Sequence, residues 1–320
     1  MVDPAAPRWP SVRPGRGHYE SYYLRAVHPT EPRGIWIRYT VLAPPGGEPA
    51  GQLWFTLFDR SWPVPRAVRD DAGVPTSDAN AWIRLEESTF GAGAVVGSVG
   101  PARWSLRCLT DQAPLEHLPR SWMYTARLPR TKVLSPSPCA VFDGSVEFGG
   151  ETVEVDGWPG MVGHNWGEEH AEQWIWLSGL GLPGRGPGTW LDVALGRLRL
   201  GPVRTPWVAN GALSIDGERF RLGGLGRRVD VVAAANRCHL RIPGPGATVT
   251  AWATAPEQAF VPWDYAGPGG GAHQVVNCSV ADLRLRVDRR DAEPLVLSAP
   301  SRAAYELGRP LAPAAGSRPD

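Results

Sequence analysis

Short strand-like runs separated by turns fill most of this chain, and that pattern restricts the fold more than any other feature. Such runs recur at 19–27, 34–43, 52–59, 92–99, 103–109, 140–148 and 152–156, then at 173–180, 190–198, 207–215, 219–222, 229–233, 239–242, 248–253 and 274–287. Helical periodicity is scarce. Gly and Pro, 38 and 33 residues, make up about a fifth of the chain and suit many tight turns. Gly149-Gly150 and Asp216-Gly217 read as two-residue hairpin turns. The expected fold class is therefore mostly β, as two successive antiparallel barrels or sandwiches. The longer interruptions are 61–81, 111–138 and 253–272. The second carries Pro119 to Tyr124 and Leu128 to Lys132 and is read as a lid, and the third carries Trp263, Asp264 and Tyr265.

The chemistry-bearing segment is Gly163-His164-Asn165-Trp166-Gly167-Glu168-Glu169-His170-Ala171-Glu172-Gln173-Trp174-Ile175-Trp176. If its second half is a strand, Glu172, Trp174 and Trp176 share one face, and Ala171, Gln173, Ile175 and Leu177 share the other. A carboxylate between indoles is partly desolvated, which raises its pKa and favours the protonated acid. Indole faces also stabilise a nearby cation, so such an acid suits chemistry that passes through a carbocation. Glu172 is accordingly the first candidate acid, weighed against an exposed or salt-bridged carboxylate. His164 is a candidate acid/base group, or else a residue that holds a turn. Asn165, between two glycines, fixes backbone geometry. Trp166, Trp174 and Trp176 are read as cavity wall or core. His164, Glu168, His170 and Glu172 share parity only in an unbroken strand, which Gly167 argues against, and no metal site is assigned.

Other classes are poorly supported. A formal charge of +1 speaks against a nucleic-acid partner. The four cysteines, Cys108, Cys139, Cys238 and Cys278, are scattered without a C-x-x-C pair and fit reduced, buried thiols. The first residues lack a signal-like apolar core, and no run is long enough to span a membrane. The expected location is the cytoplasm, with peripheral membrane contact left open. There is no Gly-x-Ser-x-Gly elbow, and Gly223-Gly224-Leu225-Gly226 has no strand–helix context for a dinucleotide.

The His-Asn-Trp-Gly core at 164–167, followed by an acidic, Trp-rich strand, resembles the carotenoid 1,2-hydratase and AttH-like group, whose relatives include tocopherol cyclase and some Diels–Alderases. Tyr22 to Ala26, Trp36 to Thr40, Leu53 to Asp59, Leu128 to Lys132, Ser135-Pro136 and Phe142-Asp143-Gly144 add to the resemblance. It implies two consecutive lipocalin-like antiparallel β-barrel domains, expected here at 17–165 and 166–308, between a flexible arm (1–16) and a disordered tail (309–320). It also implies a cofactor-independent cyclase, hydratase or isomerase. The substrate is an unsaturated hydrophobic small molecule of isoprenoid or polyketide type, transformed by proton transfer or by conformer-enforced pericyclic closure. The alternative is a lipid or isoprenoid carrier without chemistry. In the hydratase pattern an acid often precedes the core, and here that position is Gly163. The catalytic candidates are therefore Glu172, Glu168 and His164. Trp166, Trp174, Trp176, Asn165 and Asp59 are the candidate substrate contacts.

Overall fold

The computed structural model describes residues 3–13, 15–200, 202–290 and 292–311. The first half contributes β1 (His18–Val27), β2 (Arg33–Ala43), β3 (Ala50–Asp59), β4 (Arg66–Asp71), β5 (Ile83–Leu85), β6 (Ser88–Phe90), β7 (Ala94–Val99), β8 (Ala102–Leu109), β9 (Leu115–Glu116), β10 (Thr131–Phe148) and β11 (Glu151–Gly167). They form one antiparallel sheet in the order β4-β3-β2-β1-β11-β10-β8-β7-β6-β5, with β9 on β10. The second half contributes β12 (Gln173–Gly179), β13 (Trp190–Arg197), the small ribbon β14 (Arg199–Leu200) and β15 (Val203–Arg204), then β16 (Val208–Ile215), β17 (Glu218–Gly223), β18 (Asp230–Ala234), β19 (Arg237–Pro243), β20 (Ala247–Thr254), β21 (Val261–Ala266), β22 (Ala272–Arg289) and β23 (Leu295–Pro310). Its sheet runs β17-β16-β13-β12-β23-β22-β20-β19-β18, with β21 on β22.

The two orders follow one plan, except that the first sheet ends in four strands (β8-β7-β6-β5) where the second ends in three (β20-β19-β18). In each half a four-strand meander pairs its first strand with the last strand of that half, and one short strand sits off the path. Each sheet curls over its own core, so that β3 and β4 approach β7, and β17 approaches β19 and β20. This is the expected tandem of antiparallel lipocalin-like barrels. Gly149-Gly150 and Asp216-Gly217 do form the tight turns, with φ of 63° and 85°, and of 50° and 92°.

Some segments differ from expectation. β23 replaces a stretch in which no strand was expected, and its last residues are Arg309 and Pro310. Of the expected tail, residues 312–320 lie outside the described residues. The 61–81 interruption contains β4. Residues 3–11, expected as a loose arm, lie against the first barrel: Ala5 is buried, and its carbonyl accepts from the Tyr22 hydroxyl at 2.8 Å. Residues 1, 2 and 14 are outside the described set. Among the described residues no helix is long and apolar enough to cross a membrane, which says nothing about strands.

Every residue of β1 is buried. One face, including Tyr22, Leu24 and Ala26, enters the core of the first barrel with Ile37, Phe55 and Phe142. The other face meets the second barrel. Trp36, Trp54 and Phe58, on the outer side of β2 and β3, therefore pack into the second core with Leu177, Val280 and Tyr305. Arg25 crosses this interface fully buried. Its Nη1 donates to the Ser178 carbonyl at 3.0 Å, and its Nη2 to the carbonyls of Ser279 (3.1 Å) and Arg302 (3.0 Å). Register shifts between Cys278 and Leu283 interrupt the β22–β23 ladder near these carbonyls. Burial pulls the Arg25 pKa down to about 9.

Removing this guanidinium strands backbone acceptors that water cannot reach, each costing about 1–3 kcal/mol. Arg25→Ala is expected to destabilise the chain by about 3 kcal/mol or more in urea unfolding followed by circular dichroism. A loss within about 0.5 kcal/mol, the range of ordinary surface substitutions, would remove Arg25 as the interdomain tie.

Candidate active site

A cavity of about 290 Å³ lies between the barrels. Its walls come from β1, β2, β10 and β11 on one side and from β12, β13, β16, β21 and β23 on the other. The 117–131 segment covers it with Leu118, Pro119, Met123 and Pro129. Lys132, the only lysine of the chain, holds this segment by donating from Nζ to the carbonyls of Ala126 (2.9 Å) and Pro129. Aromatic rings dominate the lining: Tyr19, Tyr23, Trp36, Trp174, Trp176 and Tyr265.

Two glycines make room for two of these rings. Gly163 is the β11 partner of Tyr23, and a Cβ there would overlap the phenol ring. Gly308 stands in the same relation to Trp174 in the second barrel. The glycine before the His-Asn-Trp-Gly core is thus the seat of Tyr23, and an acidic side chain at that position would displace the ring.

Strand β11 continues to Gly167, so 164–167 is extended and its side chains alternate. Asn165 faces the cavity, where its Oδ1 accepts from Ser21 Oγ. His164 and Trp166 face the other way. His164 is fully buried, stacks on Tyr22 (ring centroids 4.1 Å) and Trp166 (4.4 Å), and places Nε2 2.7 Å from Glu20 Oε1. His18 Nε2 lies 3.0 Å from Glu20 Oε2, and the backbone N–H groups of Arg8 and Trp9 donate to the same carboxylate. Desolvation lowers the His164 pKa. Its Nδ1 has no partner, so the neutral ring donates from Nε2 to Glu20. His164 is therefore part of the packing of the first barrel and does not line the cavity.

The strand breaks at Glu168, which ends the parity argument for 164–172. Glu168 pairs with Arg16 at 2.8 Å, away from the cavity lining. Glu172 lies in a bend before β12. Arg199 and Arg204, opposite each other in the β14–β15 ribbon, both clamp its Oε1, at 2.7 and 2.8 Å. The hydrogen bond from Arg204 is the main reason its pKa is lowered. This runs against the expected raised pKa: the two arginine partners favour the ionised form of Glu172. Asp59 pairs with Arg33 at 2.8 Å and accepts from Ser61, also outside the cavity lining. Among the candidate substrate contacts, Trp174, Trp176 and Asn165 line the cavity, and Trp166 and Asp59 do not. His164, Glu168, His170 and Glu172 do not converge, and no cluster of three metal-ligating side chains occurs among the described residues.

Ionisable groups that sequence reasoning missed lie in the cavity wall (Arg38, His117 and Glu306) and behind it (Asp192). Glu306 of β23 receives Trp174 Nε1 on Oε1 (2.7 Å), and Tyr265 OH and Asn277 Nδ2 on Oε2 (both 3.1 Å). Asp192 of β13 receives Trp176 Nε1 at 2.9 Å and Ser135 Oγ at 2.5 Å, with His117 Nε2 at 3.2 Å. Burial alone would raise the Asp192 pKa, but the charge and hydrogen bond of His117 bring it below the ordinary value. His117 Nδ1 lies 3.2 Å from the Asn210 carbonyl, so both ring nitrogens are engaged by protein. His170, stacked on Trp174, is pushed down to about 3 by desolvation and is a neutral ring of the wall. Arg38 of β2 completes the set, its guanidinium 4.1 Å from the centre of the Tyr265 ring. The available signal was a charged residue inside an otherwise apolar strand, present for Glu20, Arg25 and Arg38 alike.

Solved structures share this fold. Kievitone hydratase from Nectria haematococca superposes with a TM-score of 0.57 at 8% identity, covering 97% of this chain and 93% of its own. CghA, solved with Sch210972, gives 0.60 at 13% identity, covering 97% and 96%. A protein described as AttH from Nitrosomonas europaea gives 0.51 at 11% identity, covering 91% and 92%. The resemblance to the AttH-like group thus holds at the level of the tandem-barrel fold. No family model matches the chain. By sequence, uncharacterized proteins from two strains of Mycobacterium tuberculosis are 29% identical over 173 residues, which is 54% of this chain and 51% of each relative. The chain spans about half the length of these relatives.

The Glu20 network carries a pH signature. Burial would raise its pKa, but the hydrogen bonds from His164 and His18 outweigh burial and lower it from 4.5 to about 2. Because the folded value is the lower one, the contribution is complete above about pH 4.5 and is lost as the pH falls through about 2. It is on the order of 3 kcal/mol. Glu20→Gln should lower stability at neutral pH and flatten the acid limb of a pH series of urea unfolding curves. An unchanged acid limb would refute this assignment.

Proposed function

We propose that this chain is a hydratase- or cyclase-type enzyme whose unsaturated, hydrophobic substrate, of isoprenoid or polyketide type, binds in the cavity between the barrels. The observation that carries the reading is the Glu306 carboxyl group, set in an aromatic wall and oriented by Trp174, Tyr265 and Asn277. Glu306 exchanges a proton with the substrate, while the rings of Trp36, Trp174, Trp176 and Tyr23 hold one folded conformer and exclude water. A cyclisation draws only on that proton and the shape of the cavity, whereas a hydration also consumes one water molecule, which must be admitted to the double bond beside Glu306. Arg38 beside Tyr265 disfavours a free carbocation, so closure or addition proceeds through a neutral or enol-like species. The fold shared with kievitone hydratase supports the reaction type. Four free cysteines, three of them buried, support a cytoplasmic location.

A carrier without chemistry is the second reading. It is favoured by the engagement of His164, Glu168 and Glu172 with groups outside the cavity. The two readings separate on one experiment. The hydrophobic molecule that copurifies with the chain is extracted, identified and returned, with its unsaturated precursors, to the wild type and to Glu306→Gln. The enzyme reading expects conversion by the wild type and a loss of roughly 10²- to 10⁴-fold in Glu306→Gln, with binding retained. It also expects Glu172→Gln to remain active. A ligand returned unchanged by the wild type would select the carrier.

A further inference from the structure

Arg38 is an unusual wall for a hydrophobic cavity. The residue is 5% exposed, on the outward face of β2, and lines the cavity. Its Nε is buried without a hydrogen-bond partner. Among the described residues no carboxylate lies within ion-pair distance of it. Its partners are aromatic and uncharged: the guanidinium lies 4.1 Å from the Tyr265 ring centre, within reach of that residue's hydroxyl, and 5.3 Å from Trp54. Such faces offset only part of the cost of burying a guanidinium. Among the described residues it is the only Lys or Arg in the lining.

Resting on the proposed function, we infer that the substrate is an unsaturated acid whose carboxylate pairs with Arg38. The planar fork of the guanidinium fits a carboxylate through two parallel hydrogen bonds. A phosphate dianion is less well matched, because the lining supplies no second cation and does supply Glu306. Tyr265 links the two charged groups: Arg38 lies over its ring and Glu306 accepts its hydroxyl. A carboxylate on Arg38 therefore puts the reacting double bond a few carbon–carbon bonds away, beside Glu306. Arg38 is in this sense a specificity-determining residue, which anchors the polar end so that the aromatic wall can fold the rest.

The test measures binding and needs no knowledge of the natural substrate. The fluorescent polyene cis-parinaric acid and its methyl ester are titrated into the wild type, Arg38→Met and Arg38→Lys at neutral pH. The wild type should bind the acid about ten- to a hundredfold more tightly than the ester, as a charge-assisted hydrogen-bonded pair implies. Arg38→Met should lose that preference and keep its affinity for the ester, and Arg38→Lys should keep part of the preference. Equal binding of acid and ester by the wild type overturns the inference and leaves the cavity reading standing. Uptake of neither probe overturns both. An acid preference that survives in Arg38→Met overturns the role of Arg38. The comparison of acid and ester in the wild type holds even if a variant fails to fold.

Discussion

A strand with protein on both faces cannot leave a charged side chain to water, and β1 carries charge on each face. Glu20 points into the first barrel, where His18, His164 and the backbone of residues 8 and 9 complete it. Arg25 points into the second, where three carbonyls accept from its two terminal nitrogens. The remaining architecture follows from meeting both demands. The amino-terminal segment is drawn in to supply donors to Glu20, and the ladder near Ser279 and Arg302 is irregular where acceptors face Arg25. Unsatisfied, either group would cost several kcal/mol. β1 therefore fixes both the plug of the first barrel and the docking of the second.

The cavity is a by-product of that docking. Where the barrels meet near Arg25 the side chains are fully buried. Further along the same strands Tyr19, Tyr23, Trp36 and Arg38 separate the sheets from Trp174, Trp176 and Glu306. Large rings seated on Gly163 and Gly308 make this opening. The functional residues of each half thus sit on outer faces of barrels, and neither half alone encloses the site.

Much of the fold was legible because half-buried strands alternate and two-residue turns have a strong local signature. β23 was not legible. It is buried on both sides around Ala303 and Ala304, so alternation vanishes there, and its last two residues, Arg309 and Pro310, fell in the expected tail. For the site, parity within β12 grouped Trp174 with Trp176, while Asn165, read as a residue that fixes backbone geometry, turns its side chain into the cavity. Parity failed at Glu172 because the strand begins one residue later and its two arginine partners lie 27 and 32 residues along the chain. It also failed to turn His164 away from the cavity, since parity says which residues share a face and not which face is inward. Arg38 and Glu306 reach one cavity only through pairings between distant strands, and Asp192 stands behind its wall on Trp176 and His117. Asp59 was drawn in by resemblance, and its partner Arg33 lies across a hairpin where only the pairing register reveals it.

The shared plan of the two sheets, in which the first strand of each half pairs with its last, bears on how the chain is made. The first sheet is complete in sequence once β11 has been synthesised, because β11 is the strand that pairs with β1. At that moment the outer face of β1, β2 and β3 still exposes Arg25, Trp36 and Trp54, whose partners lie in residues yet to be translated. The first barrel therefore leaves the ribosome as a sticky half-product with an uncovered aromatic flank. Only its sibling, emerging on the same chain and at high effective concentration, carries the complementary surface. Placing both halves in one polypeptide brings the complementary surface to that flank as soon as the second half has been made.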